Sequence, residues 1–387
     1  MKKKARVIVF AAGAAIVGTA IVAGGRYPRS LSIAGDPLSS GAANPAVPAS
    51  VNVAAYDAKL LSIANLPPQR DCAPAASSSA LATDTAGTPA GSFIPATTTK
   101  TSLRKTPILP PCPVPLWPVW EAAIPDAGAI LPFKRIVAYY GNFYSTQMGI
   151  LGEYPPDEML ARLASTTAMW AAADPSTPVV PALDYIAVAA QASAGPDGKY
   201  RLRMPPSQIE KAISLADGIN GLVFLDVQVG LSNVETEVPL LAPYLKLPNV
   251  ELSLDPEFAM HNGERPGTVI GTLDASDINF AAQFLAKLVD ENRLPPKILV
   301  VHRFTQAMVT NYRAIKPLPE VQIVMDMDGF GSPARKLNTY RYWIAGQPVQ
   351  FTGFKLFYKN DSVIGGHLMT PEEVLRLSPQ PSYIQYQ

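Results

Sequence analysis

Eight short apolar runs, each ending in polar side chains, recur along the last two thirds of this chain and constrain its fold more than any other feature. They are Arg135–Tyr140 before Gly141 and Asn142, Val179–Val188 before Gln191, Leu222–Leu225 before Asp226 and Gln228, and Val250–Leu254 before Asp255 and Glu257. The series continues with Ile298–Val301 before His302 and Arg303, and Val321–Met325 before Asp326 and Asp328. It closes with Phe351–Phe354 before Lys355 and Tyr358, and Tyr383–Ile384 before Gln385. Runs of this length, rich in Val, Ile, Leu and Phe without strict alternation, suit strands buried on both faces of a parallel sheet. Helical patterns separate them, so the order is β-α repeated. Eight such units predict an α/β fold, a single (β/α)8 TIM barrel whose active site lies at the C-terminal strand ends. The sequence gathers its acids and amides there.

Ser276–Asp290 predicts an amphipathic helix after the fourth strand, and Thr305–Ile315 and Pro333–Ile344 follow the fifth and sixth. Thr370-Pro371-Glu372-Glu373 is a capping box opening the seventh. The chain given ends at Gln387, just past the eighth strand, so the barrel is expected to lack the last helix. Trp117, Trp120 and Glu121–Ala123 are expected to cover the gap left at the bottom beside strands one and eight.

The first third reads differently. Met1–Arg6 is basic and Val7–Gly24 is an uncharged run, so residues 1–25 read as a signal peptide or membrane anchor. Residues 26–112 are rich in Ala, Ser, Thr, Pro and Gly, a composition expected to form a disordered linker, with Val53–Leu66 able to form one short helix. The barrel is assigned to 113–387. Cys72 and Cys112 could form a disulfide in an exported chain or remain unpaired thiols. A net charge of +1 gives no electrostatic footprint for nucleic acid. With neither a P-loop nor a G-x-G-x-x-G or G-x-S-x-G motif, no cofactor is expected. Membrane contact is expected only through the N-terminal segment.

Asp255-Pro256-Glu257 is the sharpest local motif. Asp255 and Glu257 share one side of the strand, and two carboxylates in one concave place push their pKa values apart, as glycoside hydrolysis requires. The plain structural alternative is a loop cap at Asp255 and a salt bridge at Glu257. Asp226 is a candidate nucleophile or base. Substrate-binding candidates are Tyr140, Asn142, Gln228, His302, Asp326, Asp328, Lys355, Tyr358 and Gln385. His302 with Asp226, Asp255 and Asp326 could hold a divalent ion, although no tight metal-ligand spacing is present and no metal is assigned.

An Asp-x-Glu at strand four of an exported barrel resembles the glycoside hydrolase barrels, chitinase-like enzymes and barrel lysozymes in particular. The resemblance implies that the strand-four acids are catalytic, Glu257 as general acid, and that the ligand is a cell-wall or extracellular carbohydrate. The chain departs from the chitinase pattern D-x-x-D-x-D-x-E, with Ser253 and Val250 at its two earlier acid positions. The segments LVFLDVQVGLS, LSLDPEFAM, ILVVHRFT and YIQYQ are also similar to a family of exported bacterial proteins of unassigned activity. The other readings from the residues are a non-catalytic barrel binding glycan or peptide, and a metal-dependent hydrolase.

Overall fold

The structure, a computed structural model, describes residues 51–66, 115–363 and 366–387. Residues 1–25, most of 26–112, and both cysteines lie outside the described residues. No described helix is long and apolar enough to cross a membrane.

Eight parallel strands close into a barrel: β1 (Arg135–Gly141), β2 (Val179–Ala190), β3 (Leu222–Val227), β4 (Val250–Leu254), β5 (Lys297–Arg303), β6 (Val321–Met327), β7 (Phe351–Leu356) and β8 (Tyr383–Tyr386). Each pairs with the next in sequence, and Ile136 of β1 meets both Val180 of β2 and Tyr383 of β8, which closes the ring. Nearly every strand residue is buried, because one face lines the interior and the other lies under the surrounding layer. A short antiparallel strand, Arg201–Arg203, extends the end of β2.

The helical layer is uneven. Full helices are Pro156–Ala173 (α2), Pro206–Asp217 (α3) and Ala275–Asn292 (α4), numbered after the helix α1 (Val53–Ala64). Prolines at the first turns of α2 and α3 suit positions whose N–H has no helical partner. Asp274 and Asp277 cap α4 reciprocally. Pro333–Thr339 (α5) continues as a wider turn to Ala345, and the Thr370 capping box opens the short α6 (Pro371–Val374).

Two expectations are corrected. The helix expected over Thr305–Ile315 is reduced to the single turn Tyr312–Ala314. The Arg303 guanidinium takes the carbonyls of Thr305, Gln306 and Val309, which a helix there would need for its own ladder. The bottom of the barrel is closed by α1 and not by the tryptophans. Tyr56, Leu60 and Ile63 pack on a core formed by Ile136, Phe224, Val324 and Phe351. Asn65 Nδ2 donates to Leu377 O at 2.8 Å, Ser378 Oγ to Ala64 O at 2.8 Å, and Gln380 N to Ile63 O at 2.6 Å. The short helix that the sequence allowed within Val53–Leu66 forms over Val53–Ala64 and docks on the barrel. Trp117 docks instead beyond α5, donating to Ala345 O at 2.7 Å, while Trp120 is 56% exposed.

With no helix after β8 among the described residues, α2 and α6 meet directly. Tyr139, Tyr358, Tyr386 and Trp170 fill the space over the outer faces of β1 and β8. Tyr358 stacks on Tyr386 at 5.1 Å and Trp170 Nε1 donates to Tyr386 OH at 3.0 Å.

Candidate active site in the upper barrel

Strand alternation sets the interior in layers. Ile136, Ala138 and Tyr140 on β1, or Leu222, Phe224 and Asp226 on β3, climb the same inner face two residues at a time. Below, these positions are mostly apolar, with Glu251 and Gln322 held there by backbone groups. Above, they carry Asp184, Asp226, Ser253, Asp255, His302, Asp326, Asp328, Lys355 and Gln385, all buried.

Two connected groups form there. Tyr140 OH donates to Asp226 Oδ2 at 3.0 Å and accepts from Gln228 Nε2 at 3.0 Å. The same Gln228 amide reaches Asp255 Oδ2 at 3.4 Å. Asp255 Oδ1 accepts the backbone N–H of Glu257 at 3.1 Å, so Asp255 holds the turn that carries Glu257. His302 lies between Ser253 Oγ (3.0 Å from Nε2) and Asp326 Oδ2 (3.2 Å from Nδ1), with Asp226 Oδ1 3.8 Å from Nε2. A Cβ at Gly353 would collide with the Asp326 carboxyl, so that glycine makes room for the acid. Deeper, Asp184 Oδ2 accepts from Tyr383 OH at 2.8 Å and Gln385 Nε2 at 2.7 Å.

The charge balance is lopsided. Lys355 is the buried cation of this cluster, 3.1 Å from Asp328 Oδ1 and over the Tyr140 ring at 3.8 Å. Burial alone would lower its ammonium, but Asp328, Asp255 and Asp326 outweigh that and raise it. Burial lifts Asp184 to about 7, against the hydrogen bond from Tyr383, and lifts Asp326 to about 7 against Lys355 and Lys336. Burial also lifts Asp255, which Lys355 and the Glu257 N–H hold to about 6. Asp226 and Glu257 rise well above the ordinary carboxyl range through burial, with Asp255 adding to both. His302 is pushed down to about 4 by burial and by Lys355, so its ring is neutral near pH 7.

These environments separate the acids by role. Both Asp255 oxygens accept hydrogen bonds, which suits the ionised form. Asp226 Oδ1 has no partner, in keeping with a carboxyl that retains its proton. Glu257 is half-buried at the rim, so it combines a retained proton with partial access. Ser253, His302 and Asp326 have the spacing of a nucleophilic relay, but all are fully buried. His302, Asp226, Asp255 and Asp326 do share one region, yet no group of three or more His, Cys, Asp or Glu among the described residues is arranged to hold a metal.

The structure thus draws together Tyr140, Asp226, Gln228, Asp255, Glu257, His302, Asp326, Asp328, Lys355 and Gln385. Two candidates stand apart. The Asn142 amide is committed to Ile186 O at 2.9 Å and the Tyr144 N–H at 2.9 Å, organising the loop after β1. Tyr358 faces outward, its hydroxyl 3.1 Å from Tyr139 OH. Sequence reasoning passed over Asp184 and Ser253. The signal for Asp184 was a lone acid inside the apolar run Val179–Ala190. Two open clefts, of about 520 and 420 Å³, lie on the barrel flanks and not over these acids.

No protein-family model and no curated protein matches the sequence. Among solved structures, the fold is similar to a GH18 chitinase from Pseudoalteromonas aurantia, with 11% identity and a TM-score of 0.33 over 66% of this chain and 94% of that one. It is similar to the Bacillus subtilis mannanase BCman, with 12% identity and a TM-score of 0.34 over 66% and 80%. A Burkholderia cenocepacia dihydropteroate synthase also aligns, with 12% identity and a TM-score of 0.28 over 66% and 86%. Likeness at this distance concerns architecture alone, and the chemistry rests on the side chains.

Proposed function

We propose that the protein is a glycoside hydrolase acting on a cell-wall or extracellular polysaccharide, with Glu257 as general acid and Asp255 as its ionised partner. The observation carrying this reading is the pairing at the end of β4: a rim carboxyl that retains its proton, two residues from one whose oxygens are both held by donors. Glu257 would protonate the glycosidic oxygen as the bond breaks. The Asp255 carboxylate would face the oxocarbenium-like carbon or the attacking water. Asp226, holding a proton, fits the nucleophile role less well than Asp255 does, and Tyr140 with Gln228 would position both acids. Residues 1–25, read as a signal or anchor, support an extracytoplasmic location.

The test is release of new reducing ends from peptidoglycan and common polysaccharides. Replacing Glu257→Gln keeps the shape and removes the proton source, lowering turnover about 100-fold or more. Undiminished turnover by that variant would overturn the assignment. The rate should rise with pH through about 6, as Asp255 ionises, and fall where Glu257 loses its proton.

One observation favours a second reading, a barrel that binds glycan or peptide without turnover. Asp226, Asp255, Asp326 and His302 are at most 3% exposed, and the 520 and 420 Å³ clefts lie on the barrel flanks. Saturable binding of a polysaccharide with no new reducing ends would select it.

A further inference from the structure

We propose that the flank cleft beside the end of β5 binds a hydroxylated organic acid, of which an acidic sugar is the simplest, through Arg303 and Gln347. Arg303 points out of the barrel, opposite to its neighbour His302, and its side chain is fully buried. Four of its five N–H groups reach backbone carbonyls: Nε to Thr305, Nη1 to Trp343, and Nη2 to Gln306 and Val309, at 3.0–3.2 Å. The carbonyls satisfy hydrogen bonding but supply no negative charge, and among the described residues no carboxylate forms an ion pair with this guanidinium. A buried charge without a counter-charge is costly unless something supplies one.

The cleft of about 420 Å³ lies against this group, with Gln306, Tyr312 and Gln347 among its walls. Tyr312 has Arg303 at 6.0 Å from its ring and Arg313 at 5.0 Å, so a second cation adds to the positive field. The nearby acid, Asp274, is engaged elsewhere, accepting from Thr310 Oγ1 and Asn311 Nδ2 at 2.6 Å each. The fifth N–H of Arg303, on Nη1, remains to be satisfied. Gln347 Oε1 is buried and has no donor. The two unmet needs are complementary: an oxyanion for the guanidinium and a hydroxyl to donate to the amide oxygen. An inorganic anion answers only the first and a neutral sugar only the second.

The site lies outside the barrel interior and stands whether or not the mouth acids hydrolyse anything. Calorimetric titration and thermal unfolding of the full-length protein, at fixed ionic strength, would compare glucuronate, glucose and inorganic phosphate. Glucuronate should bind saturably and raise the melting temperature, and the other two should bind more weakly. Arg303→Lys keeps a charge but loses the planar fork, and should weaken glucuronate about tenfold or more. Gln347→Leu should bring glucuronate down towards phosphate while leaving phosphate unchanged, and it decides the matter even if the Arg303 variant does not fold. Non-saturable glucuronate binding, equal binding of glucuronate and phosphate, or full affinity in Gln347→Leu would overturn the proposal.

Discussion

The lower and upper halves of the barrel interior are built on the same eight strands, two residues apart along each, yet they obey opposite rules. Phe224 and Asp226 show the contrast on one strand, and Val300 and His302 on the next but one. In the lower half Ile136, Phe224, Val300, Val324 and Phe351 pack against one another and against Tyr56 and Leu60 of α1, and the polar side chains Glu251 and Gln322 are held by backbone groups. In the upper half Asp184, Asp226, Asp326 and Gln385 each keep a buried oxygen without a donor. The lower half therefore supplies stability, and the upper half spends some of it on a cluster of acids that cannot all ionise together. Such a division is expected where rigid strands must hold reactive groups at their C-terminal ends.

The largest effects should come from the lower half. Phe224→Ala removes a fully buried ring at the centre of that core and should cost about 3–5 kcal/mol. Leu60→Ala, in α1, should cost about 2–5 kcal/mol if the helix is part of the core. Denaturant unfolding of the full-length protein checks both. A Leu60→Ala midpoint equal to that of the parent would detach α1 from the barrel.

The upper half should reveal itself through pH. Asp184 and Asp326 at about 7, and Asp255 at about 6, hold protons in the folded state that an unfolded chain releases near 4. More protons bound when folded means stability falls as pH rises from about 4 to about 7. His302, lowered to about 4 from its ordinary 6.5, acts in the opposite sense, adding stability as pH rises through the same window. The several carboxyls outweigh the one imidazole, so the net slope should be negative. Asp326→Asn removes one proton-retaining group and should flatten it, whereas Phe224→Ala should lower the whole curve without changing its slope. A parent stability that climbs steadily from pH 4 to 7 would contradict the charge assignment.

The two halves were also unequally legible in the sequence. Strands such as Ile298–Val301 and Val321–Met325 are apolar because both faces are buried, so their order alone led to the barrel. Asp226 and Lys355 were legible because alternation continues along the strand and fixes which side chains turn inward, whereas Glu257 sits on a single helical turn after β4 capped by Asp255. Past the strand ends the rule lapses: Asn142 and Tyr358 sit in loops, and only their partners Ile186 and Tyr139 determine where they point. The Thr305–Ile315 pattern was helical in isolation, but it lost its carbonyls to Arg303, a long-range competitor that no window of sequence contains. Helix α1 was visible as a helix, while its docking depends on residues more than 300 positions away at Leu377 and Ser378.

The smallest predicted effect separates the flank from the mouth. Tyr358 and Lys355 are three residues apart, and both were read as ligands of one site. The Lys355 side chain enters the acid cluster, while the Tyr358 hydroxyl joins Tyr139 OH at 3.1 Å and lies 3.4 Å from Thr166 Oγ1 on the outer face. Tyr358→Phe deletes only that hydroxyl. Tyr139 keeps its 2.7 Å bond to Thr166, and the ring still stacks on Tyr386. The cost should therefore be about 0.5–1.5 kcal/mol, the net worth of one intramolecular hydrogen bond. The slope of stability against pH, and any hydrolytic rate, should stay at the parental values. A Tyr358→Phe variant that folds normally yet loses turnover tenfold would place this tyrosine, and the 520 Å³ cleft it lines, within the functional site after all.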